Sequence, residues 1–585
     1  MLKVFKRLKP IEWLMICTSI VFVVVQVWLD LRIPEYMAEV THVVSTPGGI
    51  VYDVLSVGLL MLLCALGSAA ASIIIGFLAA RVGASFSHGL RNAVFRTVES
   101  YSMEEINSFS TASLITRTTN DITQIQMLIA MGLQVVVRAP IMAVWALGRM
   151  LYGNWEWTAL TGGLVAVVVI MISILMSYAL PRFRKIQTLT DNLNRVTREN
   201  LTGIRVVRAY NAEQYQERKF DDANDEFTAN SLSVHRAMQV LNPVMRLIMT
   251  GLPLGIFWIG AYLIQASELA DRLDIFANMV VFSQYAMHVI MSFMMLTMVF
   301  IMLPRVMVSV KRVNEVLDTK PKIVDGEISE PQTKITGEVE FKNVSFKYPD
   351  AEDYVLYDIS FSAKRGEVVA LIGSTGSGKS TIINLVPRFF DATKGQVLVN
   401  GIDVRDYTQK ALRNKLGYVP QRATLFSGTV VSNVAFGDSG RPKPTEAEIK
   451  KAVAVAQATF VEEMDGGYNA AISQGGTNVS GGEKQRLSIA RAVARAPEIY
   501  IFDDSFSALD YKTDSDLRKA LRNETAGTTC LIVAQRIGTI RDADKILVLD
   551  EGRLVGIGTH ASLMRTCTVY QEIAQSQLSP DELGR

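Results

Sequence analysis

Six long apolar segments in the first half of this 585-residue chain constrain its fold more than any other feature. A helix that crosses a lipid bilayer needs about 20 mostly apolar residues. Because the first segment is long and lacks a small-residue cleavage site, we interpret it as a retained helix and not as a signal peptide. The sequence therefore predicts six membrane-spanning helices. The segments cover residues 11–29, 54–80, 127–151, 160–180, 241–264 and 275–303.

The distribution of lysine and arginine predicts how these helices are oriented, because basic loops remain on the cytoplasmic side. Basic residues are concentrated before the first segment, between the second and third, and between the fourth and fifth. The other connections are short or acidic. We therefore expect a multi-pass protein of the cell (cytoplasmic) membrane with both termini and two long, largely helical loops in the cytoplasm.

A few polar side chains inside the apolar segments are candidates for a substrate cavity, because ionisable groups at membrane depth are costly and often functional. Arg138 lies near the middle of the third segment. Gln284 and His288 are spaced i, i+4 in the sixth segment and can share one helix face. Burial against a neighbouring polar group is the alternative for Arg138. The sixth segment is also rich in methionine, which suits either varied apolar ligands or plain packing.

The second half of the chain reads as a water-soluble α/β domain that contains a P-loop. An apolar strand, residues 368–372, runs into a Gly-Ser-Thr-Gly-Ser-Gly-Lys-Ser-Thr sequence, and a helical segment follows. Backbone N–H groups of such a loop bind phosphates, its lysine reaches the terminal phosphates, and its serine hydroxyl can bind Mg²⁺. The nucleotide-binding residues predicted in this loop are Gly373, Ser374, Thr375, Gly376, Ser377, Gly378, Lys379, Ser380 and Thr381.

A second acidic motif supplies the carboxylates that such a site needs. A strand-like apolar run, residues 499–502, ends in Asp503 and Asp504. Asp503 is the natural partner of Mg²⁺, through a water molecule, together with Ser380. The residue that follows Asp503 is expected to orient and polarise the attacking water.

The order of three motifs carries a resemblance to a known family. A Ser-Gly-Gly-Glu signature lies between the P-loop and the acid pair. Together these motifs resemble the nucleotide-binding domain of ATP-binding-cassette (ABC) transporters, and the six apolar segments resemble the exporter-type half-transporter of that superfamily. Over essentially the whole chain, the resemblance implies an α-helical transmembrane domain of six spans (residues 1–316), a linker (317–337) and an α/β P-loop ATPase domain (338–585).

The resemblance also implies roles for residues outside the P-loop. Tyr348 matches the aromatic residue that stacks on adenine, and Gln421 matches the glutamine that senses Mg²⁺ and the coupling helices. Without that context, either would more often be a surface or packing residue. Coupling segments are expected near residues 103–111 and 209–214.

In this family two ATPase domains close head-to-tail around two ATP molecules, so some residues are expected to act on a partner chain. The signature of this chain would complete the partner's ATP site, and the loop after the acid pair would cross to the partner domain. The signature residues are Ser480, Gly481, Gly482 and Glu483, and the loop residues are Ser507 and Asp510.

Two catalytic positions depart from the family pattern. Asp504 stands where glutamate is usual, and Gln535 stands where the switch histidine is usual. Aspartate is one methylene shorter, and a misplacement of about 1 Å can cost roughly 100-fold in rate. Glutamine can still hydrogen-bond a phosphate, but it cannot become cationic as histidine can. Gln474, where an acid is common, is a milder departure.

These departures favour a heterodimer in which this chain resembles the subunit with the degenerate site of a multidrug exporter. The implied partner is a second ABC half-transporter with glutamate and histidine restored. The implied function is ATP-driven export of small amphipathic or hydrophobic compounds, drugs or lipids, with ATP and Mg²⁺ as cofactors. A homodimeric exporter, an importer of the same fold and a regulatory ATP-sensing subunit are the alternatives.

Composition excludes several other classes. The formal net charge of +2 predicts no strong field for nucleic acid. The six apolar segments exclude a soluble DNA-repair or translation ATPase of the same superfamily. Four dispersed cysteines without CxxC spacing indicate neither a zinc site nor a disulfide framework.

Overall fold

The computed structural model describes residues 5–45, 51–151, 154–268, 271–330 and 333–578. The chain divides into two compact units, Met1–Glu99 with Thr111–Thr319, and Ser100–Ser110 with Lys320–Arg585. The second unit therefore contains a short stretch from the first half of the sequence together with the ATPase domain.

Helices, six of them in long apolar stretches, make up the described first half of the chain, and a π-helical segment (Gly132–Val136) precedes α6. In chain order they are α1 (Pro10–Ser45), α2 (Val51–Glu99), α3 (Met103–Phe109), α4 (Thr111–Thr118), α5 (Asn120–Met131), α6 (Arg138–Met150), α7 (Trp155–Thr202), α8 (Ile204–Ala209), α9 (Glu213–Gln239), α10 (Leu241–Ala266) and α11 (Arg272–Asp318).

Six helical stretches in the described residues are long and apolar enough to cross a membrane, and each contains one predicted segment, apart from Leu151 at the end of the third. They are Pro10–Ser45, Val51–Glu99, Thr111–Met150, Trp155–Thr202, Glu213–Ala266 and Arg272–Asp318. The predicted six-span domain is therefore confirmed. The helices run well beyond the apolar windows: α1, for example, continues 16 residues past residue 29, to Ser45.

The packing of this unit suits a lipid environment. Large apolar side chains of α2 such as Leu59, Leu66 and Ile73 are exposed, which a lipid bilayer accommodates and water does not. Inside, Trp157 is fully buried, lies 5.0 Å from the ring of Phe282, and donates its indole N–H to a backbone carbonyl of α10. A buried indole needs such an acceptor.

The ATPase domain contains two main sheets. Its strands are β1 (Val339–Phe346), β2 (Leu356–Ala363), β3 (Val368–Gly373), β4 (Lys394–Val399), β5 (Ile402–Asp403), β6 (Leu416–Val419), β7 (Gly428–Thr429), β8 (Ala471–Ile472), β9 (Ile499–Asp503), β10 (Thr529–Val533), β11 (Lys545–Asp550) and β12 (Arg553–Gly558). An antiparallel sheet has the order β2-β1-β4-β5, and a six-stranded sheet has the order β12-β11-β3-β10-β9-β6.

The helices of this domain flank the six-stranded sheet or form a separate helical group. They are α12 (Lys379–Leu385), α13 (Gln409–Asn414), α14 (Val430–Val434), α15 (Glu446–Val455), α16 (Phe460–Glu463), α17 (Gly481–Ala494), α18 (Tyr511–Glu524), α19 (Ile537–Ile540), α20 (His560–Thr566) and α21 (Thr568–Gln577). With the six spans, this mixed α/β domain confirms the predicted fold class.

The central strand β3 explains why its sequence is apolar without alternation. Val369 and Leu371 pack on one face, in the cluster shared with the antiparallel sheet, whereas Ala370 and Ile372 pack on the other. A parallel strand that is covered on both faces reads as a continuous hydrophobic run. Strands β11, β3, β10, β9 and β6 are mutually parallel, so their carboxyl ends meet at one sheet edge, where ligands bind in such folds.

Candidate functional site

The loop between β3 and α12 has the geometry of a phosphate cradle. Gly376 and Gly378 have φ values of 86° and 93°, a left-handed conformation that glycine adopts without strain. A Cβ atom on Gly373 would lie 2.1 Å from the carbonyl oxygen of Leu549 in β11. Glycine at these positions therefore allows the backbone to fold tightly. Ser374, Thr375 and Gly376 are exposed at the loop's tip, as a ligand-binding loop requires.

The Lys379 side chain folds back into this loop. Its Nζ donates hydrogen bonds to the carbonyl oxygens of Gly373 (2.9 Å) and Ser374 (2.7 Å) and lies 3.3 Å from Ser377 Oγ. Burial lowers the pKa of Lys379, although the carboxylates of Asp504 and Asp503 act in the opposite direction. An ammonium group held in this cradle by carbonyl oxygens is suited to meet phosphate oxygens.

The predicted metal-binding residues lie together at the carboxyl ends of β3, β9 and β6. Ser380 Oγ donates to Asp503 Oδ1 at 2.8 Å, and Asp503 is 5% exposed. Burial raises the pKa of Asp503, while the bond from Ser380 lowers it. Hydroxyl, carboxylate and amide oxygens are the ligands that Mg²⁺ prefers, so Ser380, Asp503 and Gln421 fit this ion. Magnesium would supply neutralisation of phosphate charge.

Asp504 accepts hydrogen bonds from two glutamine side chains. Its Oδ2 accepts a hydrogen bond from Gln535 Nε2 at 2.7 Å and one from Gln421 Nε2 at 3.3 Å. Asp504 is 7% exposed, and burial raises its pKa against the lowering effect of these bonds. Its backbone adopts φ 45°, a left-handed conformation that aspartate tolerates better than most residues. The two catalytic departures are thus in direct contact.

Tyr348 lies beside the P-loop helix α12. Its hydroxyl is 3.1 Å from Thr381 Oγ1, and its ring packs edge-on against Phe346 and Phe390, at centroid distances of 4.8 and 5.3 Å. These contacts fix the ring next to the loop. Phe390 was not singled out by the sequence analysis, since an aromatic residue after a helix has many possible packing partners.

The signature forms the start of helix α17. Ser480 is the N-cap residue, its backbone N–H donates to Glu483 Oε2 at 2.8 Å, and Glu483 N donates back to Ser480 Oγ at 3.4 Å. Glutamate therefore completes a capping box here. Gly481 is exposed, and a Cβ on it would meet no atom within 4 Å. A Cβ on Gly482 would touch the Ala508 carbonyl at 3.4 Å.

The loop after the acid pair is anchored at both ends. Ser507 Oγ donates to the Asp504 carbonyl at 2.9 Å, and Asp510 caps α18 by accepting from Thr513 N at 2.9 Å. The roles of these residues toward a partner chain remain predictions.

One polar candidate of the membrane unit, Arg138, forms an ion pair that the sequence did not reveal. Arg138 Nη2 lies 2.9 Å from Asp30 Oδ2, and Ser68 Oγ donates to the other oxygen at 2.5 Å. His288 is close enough to interact electrostatically with both charged groups, whereas Gln284 is exposed. The cavity role of Arg138, Gln284 and His288 remains a prediction. Asp30 directly follows the first apolar segment, and that position was the available signal.

Comparison with known proteins places the whole chain in one family. Residues 16–293 match the family described as ABC transporter transmembrane region, and residues 356–507 match the family described as ABC transporter. An uncharacterized ABC transporter ATP-binding protein of Mycobacterium tuberculosis is 39% identical over 522 residues, which is 88% of this chain and 87% of that protein.

Two further similarities concern a lipid flippase and a solved structure. The ATP-dependent lipid A-core flippase of Pseudomonas putida is 31% identical over 511 residues, covering 87% of this chain and 83% of the flippase. A bacterial Atm1-family ABC exporter with ATP bound superposes with a TM-score of 0.80 at 25% identity, over 97% of this chain and 99% of that one.

A matched pair of glycine substitutions tests the cradle. Gly373→Ala should abolish nucleotide binding and destabilise the ATPase domain, because its Cβ would lie 2.1 Å from a carbonyl oxygen of β11. Gly376→Ala meets no atom within 4 Å and should cost only about 1 kcal/mol from its positive φ. Fluorescent-ATP binding and thermal unfolding measure both effects. Equal losses in the two variants would contradict this geometry.

The ion pair of the membrane unit gives a second prediction. Asp30→Asn should lower the free energy of unfolding in detergent by about 2 kcal/mol, because Arg138 loses its counter-charge at membrane depth. The double variant Asp30→Asn with Arg138→Gln should recover part of that loss, as read from the thermal midpoint. A double variant no more stable than the single one would show that the pair does not stabilise the unit.

Proposed function

The chain belongs to the ABC transporters, as an exporter-type half-transporter with an ATP-hydrolysing domain, and from that premise we propose that it is the subunit with a degenerate site in a heterodimeric exporter. Degenerate here means able to bind ATP but poorly able to hydrolyse it. The observation that carries the proposal is the contact between Asp504 and Gln535, at 2.7 Å.

That contact weakens hydrolysis in two ways. The Asp504 carboxylate is one methylene shorter than glutamate and is held by amide donors from Gln535 and Gln421, so it is poorly placed to polarise a water molecule. Gln535 cannot carry a positive charge, so it offers less stabilisation to the charge that develops on a transferring phosphoryl group. Phosphoryl transfer depends almost wholly on such positioning and electrostatics.

The groups that bind the nucleotide are retained. Lys379 is seated in a glycine-rich loop, Ser380 and Asp503 are hydrogen-bonded to each other, and Tyr348 lies beside the loop. Binding and hydrolysis are therefore separated in this chain. ATP held at the site would keep the two ATPase domains partly joined between turnovers.

An intact signature in a chain whose own catalytic pair departs from the family pattern supports a heterodimer. The start of α17 is capped, exposed and free of obstruction at Gly481, so it is suited to contact the phosphates of another chain's ATP. A partner with glutamate and histidine at the positions of Asp504 and Gln535 would then contain the site that is competent to hydrolyse ATP. The signature of this chain would complete that site.

The cargo we propose is a small amphipathic or hydrophobic compound, a lipid or a drug, exported across the cytoplasmic membrane. The relative from Pseudomonas putida is a lipid A-core flippase, which favours a lipid-like cargo. A methionine-rich α11 and an ion pair at membrane depth provide both apolar and polar contacts for such a molecule.

Restoring both catalytic side chains tests the proposal. Asp504→Glu with Gln535→His should raise the ATPase rate of the purified complex, by up to about 100-fold at this site, because the carboxylate reaches the water and the switch can become charged. Adding Lys379→Ala to the restored chain should remove the gain and thereby assign it to this site. An unchanged rate in the restored complex would count against a degenerate site.

The signature gives an independent test. Gly481→Asp should leave this chain folded, because the new Cβ meets no atom within 4 Å and an acid is favourable at a helix N-terminus. It should strongly reduce the ATPase rate of the complex by repelling the partner's ATP phosphates, and Gly481→Asn, without the charge, should reduce it less. Full activity of the aspartate variant would refute this role of α17.

A further inference from the structure

The short helix α3, the first expected coupling segment, contacts the linker within the second unit. That unit combines Ser100–Ser110 with Lys320–Arg585, so the contact joins a stretch between two membrane helices to the start of the ATPase domain. Helix α2 ends at Glu99 and α4 begins at Thr111, so any movement of α3 is passed on through the chain itself.

One buried carboxylate holds this contact together. Glu105 Oε2 accepts hydrogen bonds from Ser102 N (2.8 Å) and Ser102 Oγ (2.5 Å), and Glu105 Oε1 accepts from Lys322 N at 3.2 Å. Glu105 is 5% exposed, and these bonds lower its pKa although burial raises it. The same side chain therefore starts helix α3 and holds the linker backbone.

The neighbouring ion pair contributes much less. Lys322 Nζ contacts Glu104 Oε1, but the lysine side chain is 66% exposed. Exposed pairs of this kind contribute little to stability, because water and salt screen them. The main contact between the linker and α3 is therefore formed by the backbone N–H of Lys322 and not by its side chain.

Over the next few residues, hydrogen bonds attach the linker to the ATPase domain. Arg388 Nη1 donates to the Val324 carbonyl at 2.9 Å, and Gly326 N donates to the Tyr407 carbonyl at 2.9 Å. A Cβ on Gly326 would lie 2.3 Å from the backbone of Asp406, so the linker lies flat against this part of the domain. We name residues 322–326 the linker strap.

Arg388 connects the strap to the P-loop helix. It is 4% exposed, its Nε donates to Asp391 at 2.8 Å, and its backbone N–H donates to the Leu385 carbonyl, at the end of α12. Helix α12 begins with Lys379. A series of partly buried hydrogen bonds, joined by short stretches of chain, thus runs from the P-loop helix through Arg388 and the strap to Glu105 and α3.

We propose that Glu105 and the linker strap are positioning elements that couple ATP binding to the membrane helix α2 and to the helical stretch that begins with α4 in the same chain. A displacement of α12 moves Arg388 and, through the hydrogen bond between them, the linker strap. The strap then moves Glu105 and helix α3 through the hydrogen bond from Lys322 N. The proposal rests on ATP-driven transport by this family and not on the degenerate site or the heterodimer. A contiguous network of this kind needs direct evidence of coupling.

The test compares ATP binding with the response of the membrane helices. The full-length chain, together with any subunit that co-purifies, is placed in lipid nanodiscs, and hydrogen–deuterium exchange over residues 85–118 is measured with and without Mg-ATP. A fluorescent ATP analogue reports binding at the P-loop. Wild-type protein should show an ATP-dependent change in exchange over residues 85–118.

The decisive variant is Glu105→Ala. It should lose about half or more of the ATP-dependent exchange change while retaining ATP affinity. Lys322→Ala keeps the backbone N–H and serves as the matched control, and Ser102→Ala keeps the Glu105 contact to the strap. Both controls should respond as the wild type does.

Gly326→Ala tests the strap without altering Glu105. Its Cβ would lie 2.3 Å from Asp406 backbone atoms, which lifts the strap from the domain, so it should also uncouple binding from the exchange response. If Glu105→Ala does not fold, Gly326→Ala carries the test. A full ATP response in these variants, or a loss of ATP affinity in parallel with the response, would overturn the proposal.

Discussion

Parallel pairing of β3, β10, β9 and β6 places the ends of four chain segments at one edge of a sheet, and the ATP site is built on that edge. The P-loop follows β3, the acid pair ends β9, Gln535 follows β10, and Gln421 follows β6. Segments more than 100 residues apart in sequence thus meet within hydrogen-bond distance, as between Ser380 and Asp503 at 2.8 Å.

In the proposed degenerate site, the same edge accounts for binding that persists while hydrolysis weakens. The cradle depends on glycine backbone geometry and on Lys379, which neither Asp504 nor Gln535 alters. The catalytic pair depends instead on side-chain length and charge at the ends of β9 and β10. A change of one methylene at Asp504 and the loss of a titratable ring at position 535 leave the sheet and the loop intact.

The sequence predicted those parts of the protein that depend on short-range patterns along the chain. Apolar runs of membrane length and a glycine-rich loop between strand and helix are short-range patterns, so six spans and the α/β ATPase domain were both foreseen. Even the pair Asp504 and Gln535 was found through its departure from a family pattern. Its direct contact could be learned only from the structure.

Long-range pairings escaped sequence reasoning, because no local pattern encodes them. Asp30 read as part of an acidic connection, yet it is the counter-charge of Arg138, 108 residues away. Glu105 lies in the first expected coupling segment and was not singled out from the sequence, yet it accepts the backbone N–H of Lys322, 217 residues away. Both contacts require knowledge of which helices and linkers are neighbours in space.

The central claim is that the P-loop of this chain holds ATP without hydrolysing it at a useful rate. Photo-cross-linking of a radiolabelled azido-ATP after one turnover, followed by separation of the subunits, reveals which nucleotide each chain retains. The account predicts intact triphosphate on this chain and diphosphate on its partner. Rapid conversion to diphosphate on this chain, or vigorous ATP hydrolysis and transport by this chain alone, would contradict it.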